Sequence, residues 1–257
     1  MSLPCFYLSP DNPSLSNTGS GTRGSSFSGL PEIILDEDNS RHIVQVLRMK
    51  VGEQLQLTDG RGSLLTTMIT DDHKKKCRVK TIAATFQPAR ERIFTLAVSL
   101  LKNASRFEWL LEKATEIGVG EIFPLIGERT EKQHFRQDRM QNILVSAMLQ
   151  SQQTWLPVLH PPTPFPELIQ QAGHDQRFIA HCLEEGRIAL PAALKDASLP
   201  AHSSPFTQIM LIGPEGDFSK KEIDLALAHH FIPVTLGETR LRTETAGIVA
   251  ASLLCIV

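Results

Sequence analysis

The sequence predicts an α/β protein: a small, mostly β domain, then a larger domain built on a parallel sheet covered on both faces. Three observations carry this. Beyond residue 89, short apolar runs alternate with helical patterns, as crossover helices joining parallel strands require. Before it, short alternating runs are broken by tight-turn residues, chief among them Asp59-Gly60-Arg61-Gly62. Near the C-terminus, two apolar runs break into glycine-bearing turns, Gly213-Pro214-Glu215-Gly216 and Gly237, and each turn feeds a helix. In open α/β sheets, ligands bind where strand carboxyl ends meet helix starts.

The boundary is expected at the Gln87-Pro88-Ala89-Arg90 linker, giving domains 1–88 and 89–257. In the first, strands are expected at 6–8, 32–35, 54–58, 64–70 and 77–86. Residues 9–30 are dominated by Ser, Gly, Asn, Thr and Pro, so they are expected to form a flexible loop inserted between strands. The stretch 36–50 predicts a short helix capped by Asp38, Asn39 or Ser40, with an apolar stripe of Ile43, Val44 and Leu47. Arg41, His42, Arg48 and Lys50 surround that stripe with basic groups.

In the second domain, 94–101 reads as a buried strand. Residues 106–118 read as a helix through Phe107, Leu110, Leu111, Ala114 and Ile117, ended by Gly118. Strands are expected at 121–125, 156–159, 177–181, 209–212 and 231–236. Helices are expected at 136–153, at 166–172, from Ser219, and from the segment Leu241-Arg242-Thr243-Glu244-Thr245-Ala246. In that last helix Thr243 or Thr245 is the expected cap, with Glu244 in the first turn.

Composition narrows the function. Lys plus Arg number 26 and Asp plus Glu 28, a net charge of −2. This excludes a surface coated in phosphate-binding charge and leaves room for a local basic patch. The four cysteines are scattered, with no C-x-x-C pair, so neither a zinc site nor a disulfide framework is expected, and no metal. No basic-then-apolar leader and no bilayer-length apolar run is present, so a cytoplasmic protein without a membrane partner is expected.

The turn at 213–218 is neither a Walker loop nor a dinucleotide fingerprint. Its Glu215 would repel a pyrophosphate and tolerate a cationic or zwitterionic ligand; it also suits a helix N-terminus as a simple dipole partner. Arg242 is costly to bury unpaired, so it pairs with a carboxylate or meets an anionic substrate. Arg129, in Glu128-Arg129-Thr130, follows a strand at what should be the same sheet edge. No residue makes a case for a nucleophile.

These segments resemble the bacterial 16S ribosomal RNA uridine-N3 methyltransferase family (RsmE type) of the SPOUT superfamily. The resemblance is carried by the run 42–48 (His-Ile-Val-Gln-Val-Leu-Arg), the run 112–118 (Glu-Lys-Ala-Thr-Glu-Ile-Gly), Glu128-Arg129-Thr130, the run 211–216 (Leu-Ile-Gly-Pro-Glu-Gly), Leu236-Gly237 and the run 241–246 (Leu-Arg-Thr-Glu-Thr-Ala), in the family's order over nearly the whole chain. It implies a PUA-like β-barrel domain followed by a SPOUT-type, trefoil-knotted, parallel-sheet domain. It implies S-adenosyl-L-methionine held by Leu211, Ile212, Gly213, Pro214, Glu215, Gly216, Leu236, Gly237, Leu241, Arg242, Thr243, Thr245 and Ala246. The reaction implied is methylation at N3 of one uridine of 16S rRNA in the small ribosomal subunit (uridine 1498 in the family's standard rRNA numbering). Arg242 would stabilise charge on the uracil, and Glu244 is the candidate base. Arg41, His42, Arg48, Arg61 and Arg129 would contact RNA, and the protein would be a homodimer. The alternative is an idle RNA-binding assembly factor on the same scaffold. The chain departs from the family at Asp217, where a second glycine usually follows Gly-Pro-Glu-Gly, and at 150–153, where an arginine after the Gln-Ser pair is missing.

Overall fold

The computed structural model describes residues 3–9, 12, 32–131, 135–183, 186–195 and 205–256. The loop expected at 9–30 lies outside them, except for Ser9 and Asn12. Packing divides the chain into two units. The first joins residues up to 89 with 148–155; the second joins 90–147 with 156–257.

The first unit holds strands β1 (Cys5–Tyr7), β2 (Ile33–Ile34), β3 (Gln54–Thr58), β4 (Ser63–Asp71) and β5 (Arg78–Phe86), in the order β1-β3-β4-β5-β2. β1 runs parallel to β3; the other neighbours are antiparallel. Ile43, Leu55, Leu57, Ile69 and Val79 are buried together as its core. The β3–β4 turn forms at the predicted residues. Asp59 Oδ1 accepts from Arg61 N at 2.8 Å and Ser63 N at 3.1 Å, a side chain mimicking a backbone turn. Gly62 has φ +97°, and a Cβ there would lie 2.5 Å from Gln87 O, so the turn tolerates only glycine. The 148–155 segment belongs here because Gly62 N donates to Thr154 O (2.9 Å) and Trp155 Nε1 to Gln87 O (2.9 Å).

The short helix expected within 36–50 is α1 (Glu37–Arg41), which continues as a π-helical turn, His42–Val46. Its cap differs from the expected Asp38, Asn39 or Ser40. Asp36 Oδ1 accepts from Asn39 N at 2.8 Å. Ser40 is buried, and its hydroxyl instead donates to Leu35 O (3.3 Å) and accepts from Cys77 N (2.9 Å), tying the helix to the sheet.

The second unit holds β6 (Arg92–Ser99), β7 (Glu121–Ile126), β8 (Val158–Leu159), β9 (Thr163–Pro164), β10 (Gln176–Ala180), β11 (Ile188–Ala189), β12 (Phe206–Ile212) and β13 (Ile232–Thr235). The order is β11-β13-β10-β12-β6-β7-β8, with β9 also on β7, and every pairing is parallel. The central strands β6, β7, β10 and β12 are mostly apolar because both faces are covered. Leu96, Val98, Met210 and Ile212 enter one core; Ala97, Ile209, Leu211 and Ile179 enter the other. Their alternation is the strand period of two. Helices α2 (Ala104–Ile117) and α7 (Thr243–Cys255) contribute to the first core. Helices α4 (Phe165–Gln171) and α6 (Lys220–Ala228) contribute to the second. Helix α3 (Gln137–Gln150) and the short α5 (Leu190–Lys195) complete the unit. The strands β9 and β11 and helix α5 are too short for a periodic signal and were not expected.

Helix ends follow local chemistry. Asn103 caps α2 through Ser105 N (2.9 Å), and Gly118 closes it in the left-handed conformation at φ +106°. Ser219 and Glu222 form a reciprocal capping box on α6. The chain runs from β12 through α6 to β13, beyond β10. It then returns, so that α7 packs on α2 and β6. Gly247 permits that approach: a Cβ there would lie 2.9 Å from Leu110 Cδ1.

Candidate active site

Parallel pairing sends every strand's carboxyl end to one edge. Ile212 on β12 and Val234 on β13 both pair with Ala180 of β10, so the two glycine turns leave the sheet level with each other. Two strand spacings separate them, roughly 9–10 Å. The segment after β10, from His181, emerges between them. Ile212 also pairs with Val98, and Val98 with Pro124, which brings the 127–131 loop to the same edge.

The 213–218 loop is fastened on both sides. Arg129 Nη1 donates to Gly216 O at 2.5 Å. Glu222 Oε1 accepts from Glu128 N and its Oε2 from Ser219 N, each at 2.8 Å, binding the 127–131 loop to the start of α6. Thr130 Oγ1 accepts from Gly127 N at 2.8 Å and pairs with Ser99 Oγ at 2.8 Å. On the other side, Asp217 Oδ2 accepts from Cys182 N at 2.8 Å. Gly213 is buried, and a Cβ there would press on Phe218 at 3.1 Å. Pro214 is half-buried; Glu215 and Gly216 are exposed. Leu211 and Ile212 are buried strand residues whose main chain leads into the loop.

On the second turn, Gly237 is exposed at φ +152°, with nothing within 4 Å of where a Cβ would stand. Thr235 Oγ1 donates to Gly237 O at 2.8 Å. Leu236 and Leu241 are half-buried. Neither Thr243 nor Thr245 caps α7. Arg242 takes the cap position without a side-chain cap bond. Thr243 is buried, and its hydroxyl donates to Gly213 O at 3.0 Å, joining the first turn to the start of α7. Thr245 is exposed and Ala246 half-buried.

Arg242 is exposed, and no ion pair or hydrogen bond reaches its guanidinium among the described residues. Glu244 is 7% exposed; its Oε1 lies 3.7 Å from Arg106 Nε, and its Oε2 is buried with no hydrogen-bond partner among the described residues. A buried carboxylate oxygen without a partner is costly unless something else meets it. Arg106 Nη1 also lies 3.6 Å from Glu215 Oε1. Arg106 and Glu222 were not expected at the site; Asp217 was expected in the loop only as a departure from the family's glycine, without its bond to Cys182. Arg106 has no motif of its own, and only the spacing Ser219 to Glu222 foreshadowed the box.

The first unit carries the other predicted residues. Arg41 is paired with Glu37 at 2.8 Å, and Lys75 reaches the same carboxylate at 3.4 Å. Lys75, then Arg41, holds that carboxyl below the usual range. His42 stands edge-on to Phe6 at 5.7 Å. Arg48 is exposed at φ +57°, next to Val46 and Leu47, which are 65% and 43% exposed. Arg61 is exposed, and its backbone bridges to Trp155.

Burial pushes the Cys77 and Cys255 thiols up to about 11. Cys182 is also raised, by burial first and then by Asp217. These thiols are held protonated, which does not suit nucleophiles. Among the described residues no cluster of three or more His, Cys, Asp or Glu side chains could hold a metal, and no helix is long and apolar enough to cross a membrane.

A parallel sheet whose two neighbouring glycine turns leave the same edge, with an α7 that returns to pack on α2 and β6, has the class of a SPOUT-type α/β domain preceded by a PUA domain. The model of an RNA methyltransferase domain matches residues 89–255, and that of an RNA methyltransferase PUA domain matches 35–82. The chain belongs to the RNA methyltransferase family that contains the ribosomal RNA small subunit methyltransferase E enzymes. It is 31% identical to that enzyme of Synechocystis over 213 residues, 81% of this chain and 68% of the relative. A probable rRNA-methyltransferase of Porphyromonas gingivalis is 35% identical, with a TM-score of 0.77 over 97% of this chain and 95% of that one. The ribosomal RNA small subunit methyltransferase E of Neisseria gonorrhoeae, solved bound to S-adenosyl methionine, is 26% identical, with a TM-score of 0.79 over 98% and 96%.

Proposed function

We propose that this chain transfers the methyl group of S-adenosyl-L-methionine to N3 of one uridine of 16S rRNA in the small ribosomal subunit, working as a homodimer. The observation that supports it most is the unpartnered Glu244 oxygen, buried at the edge where both glycine turns leave the sheet. The residues present fit the donor. Main chain at 211–216 and 236–246 would hold an uncharged nucleoside. The acids Glu215 and Glu244 suit a cation, and Gly216 and Gly237 leave room for close approach. Bound there, the donor supplies an electrophilic methyl on a positively charged sulfur.

The chain's own residues then have distinct tasks. N3 must lose its proton before it can attack, and we assign that proton to Glu244, whose buried Oε2 has no hydrogen-bond partner among the described residues. Arg242, without an ion pair or hydrogen bond at its guanidinium among the described residues, stabilises the negative charge spreading to the uracil carbonyls. The N3–methyl bond forms as the sulfur–methyl bond breaks. Thr243 fixes the start of α7 against the first turn, so donor and acceptor meet in line. Arg41, His42, Arg48 and Arg61 contact RNA from the first unit, and Arg129 from the loop beside the cradle.

Mass-spectrometric mapping of 16S rRNA from cells with and without this protein tests the reading. One N3-methyluridine is expected only where the protein is present. Identical maps would leave the reading without a substrate.

A further inference from the structure

We propose that Asp217 is a positioning residue for the methyl donor: its carboxylate ties the 213–218 loop to the segment following β10 and so fixes the floor of the cradle between the two glycine turns. This rests on the donor reading above.

Asp217 has φ +64°, a left-handed conformation that glycine adopts freely and Asp less so. The resemblance to the family marks this position as one where glycine is usual. A non-glycine residue there needs compensation, and Asp217 has it. Its Oδ1 accepts from Phe218 N at 2.9 Å, and its Oδ2 from Cys182 N at 2.8 Å. Its own N–H donates to Pro214 O at 2.9 Å, closing the turn. The first and last of these bonds are local. The bond to Cys182 spans 35 positions in sequence and joins two neighbouring strand ends. Amide-to-carboxylate bonds are among the stronger ones. A glycine here offers no such acceptor, so the Cys182 amide would be left to solvent, and among the described residues the long-range hydrogen bonds remaining to the loop would be those of Arg129 to Gly216 O and Thr243 to Gly213 O, beside the packing of Phe218 on Phe165. A loop ordered before binding loses less freedom when the ligand arrives.

The test uses the full chain with Asp217→Gly and Asp217→Asn. Glycine removes the carboxylate without straining the backbone; asparagine tolerates the left-handed conformation and keeps one acceptor oxygen. We expect D217G to speed hydrogen exchange at Cys182 N and to weaken S-adenosyl-L-methionine binding about tenfold by calorimetry, the loss of one charge-assisted bond. KM for the donor should rise in proportion while kcat at saturating donor holds, and D217N should recover part of the affinity. A purely structural Asp217 would lower the Tm and leave Kd unchanged. Wild-type affinity in D217G would overturn the tether while the donor reading stands. A wild-type chain that binds no donor would overturn the donor reading and the tether with it.

Discussion

Arg242, exposed, and Glu244, buried, stand two positions apart at the first turn of α7, and the proposed function divides the chemistry between them. Because Arg242 makes no contact that the fold needs, Arg242→Ala should cut kcat about 10²–10³-fold, the size of losing one charge-stabilising donor, with an unchanged Tm. Full activity in that variant would remove it from the mechanism. Thr243 is the opposite case. Its hydroxyl bond to the buried Gly213 carbonyl means that Thr243→Val should cost about 1–3 kcal/mol in chemical denaturation, besides loosening the first turn from the start of α7. The motif at 241–246 was legible as the start of a helix beside the glycine turns, but the hydroxyl's target was not. Capping is a local rule, and the carbonyl that wins Thr243 lies 30 positions away.

At the scale of elements, the alternating strand and helix periods foretold β6, β7, β10, β12 and β13 and the helices packed on them. They did so because a two-faced parallel sheet demands continuous apolar runs and amphipathic crossovers. What escaped was settled by distant contacts. The cap of α1 moved to Asp36 because Ser40 is consumed by the sheet, and β9 and β11 exist only through their neighbours. The packing of α7 on α2 turns on Gly247 and Leu110. Leu110 is fully buried, and Leu110→Ala should destabilise the chain by about 2–5 kcal/mol, read from the urea midpoint. A loss well below that range would mean that α2 and α7 adjust to the missing volume.

For the whole molecule, pH dependence follows from one buried imidazole, His181, and one half-buried, His174. Burial lowers His174 and His181 from the ordinary 6.5; at His174, Arg177 adds to this, while Glu121 and Asp175 oppose it. The folded chain therefore favours the neutral rings, and the unfolded chain binds more protons as pH falls through 6.5. This stability is complete above 6.5 and is lost on acidification. Asp175, held below 3.8 chiefly by its bonds from Thr207, adds a second loss below that pH. Urea midpoints should thus fall in two stages as pH is lowered, and a midpoint rising between about pH 7 and 5.5 would contradict the assignment. Solution scattering should find two chains per particle; a monomer would contradict the proposed dimer. The central claim is that two glycine turns at one sheet edge make a single cradle for a cationic methyl donor. A crystal of this chain soaked in S-adenosyl-L-methionine decides it: the account predicts the donor against the main chain of 211–216 and 236–246, and a donor bound anywhere else contradicts it.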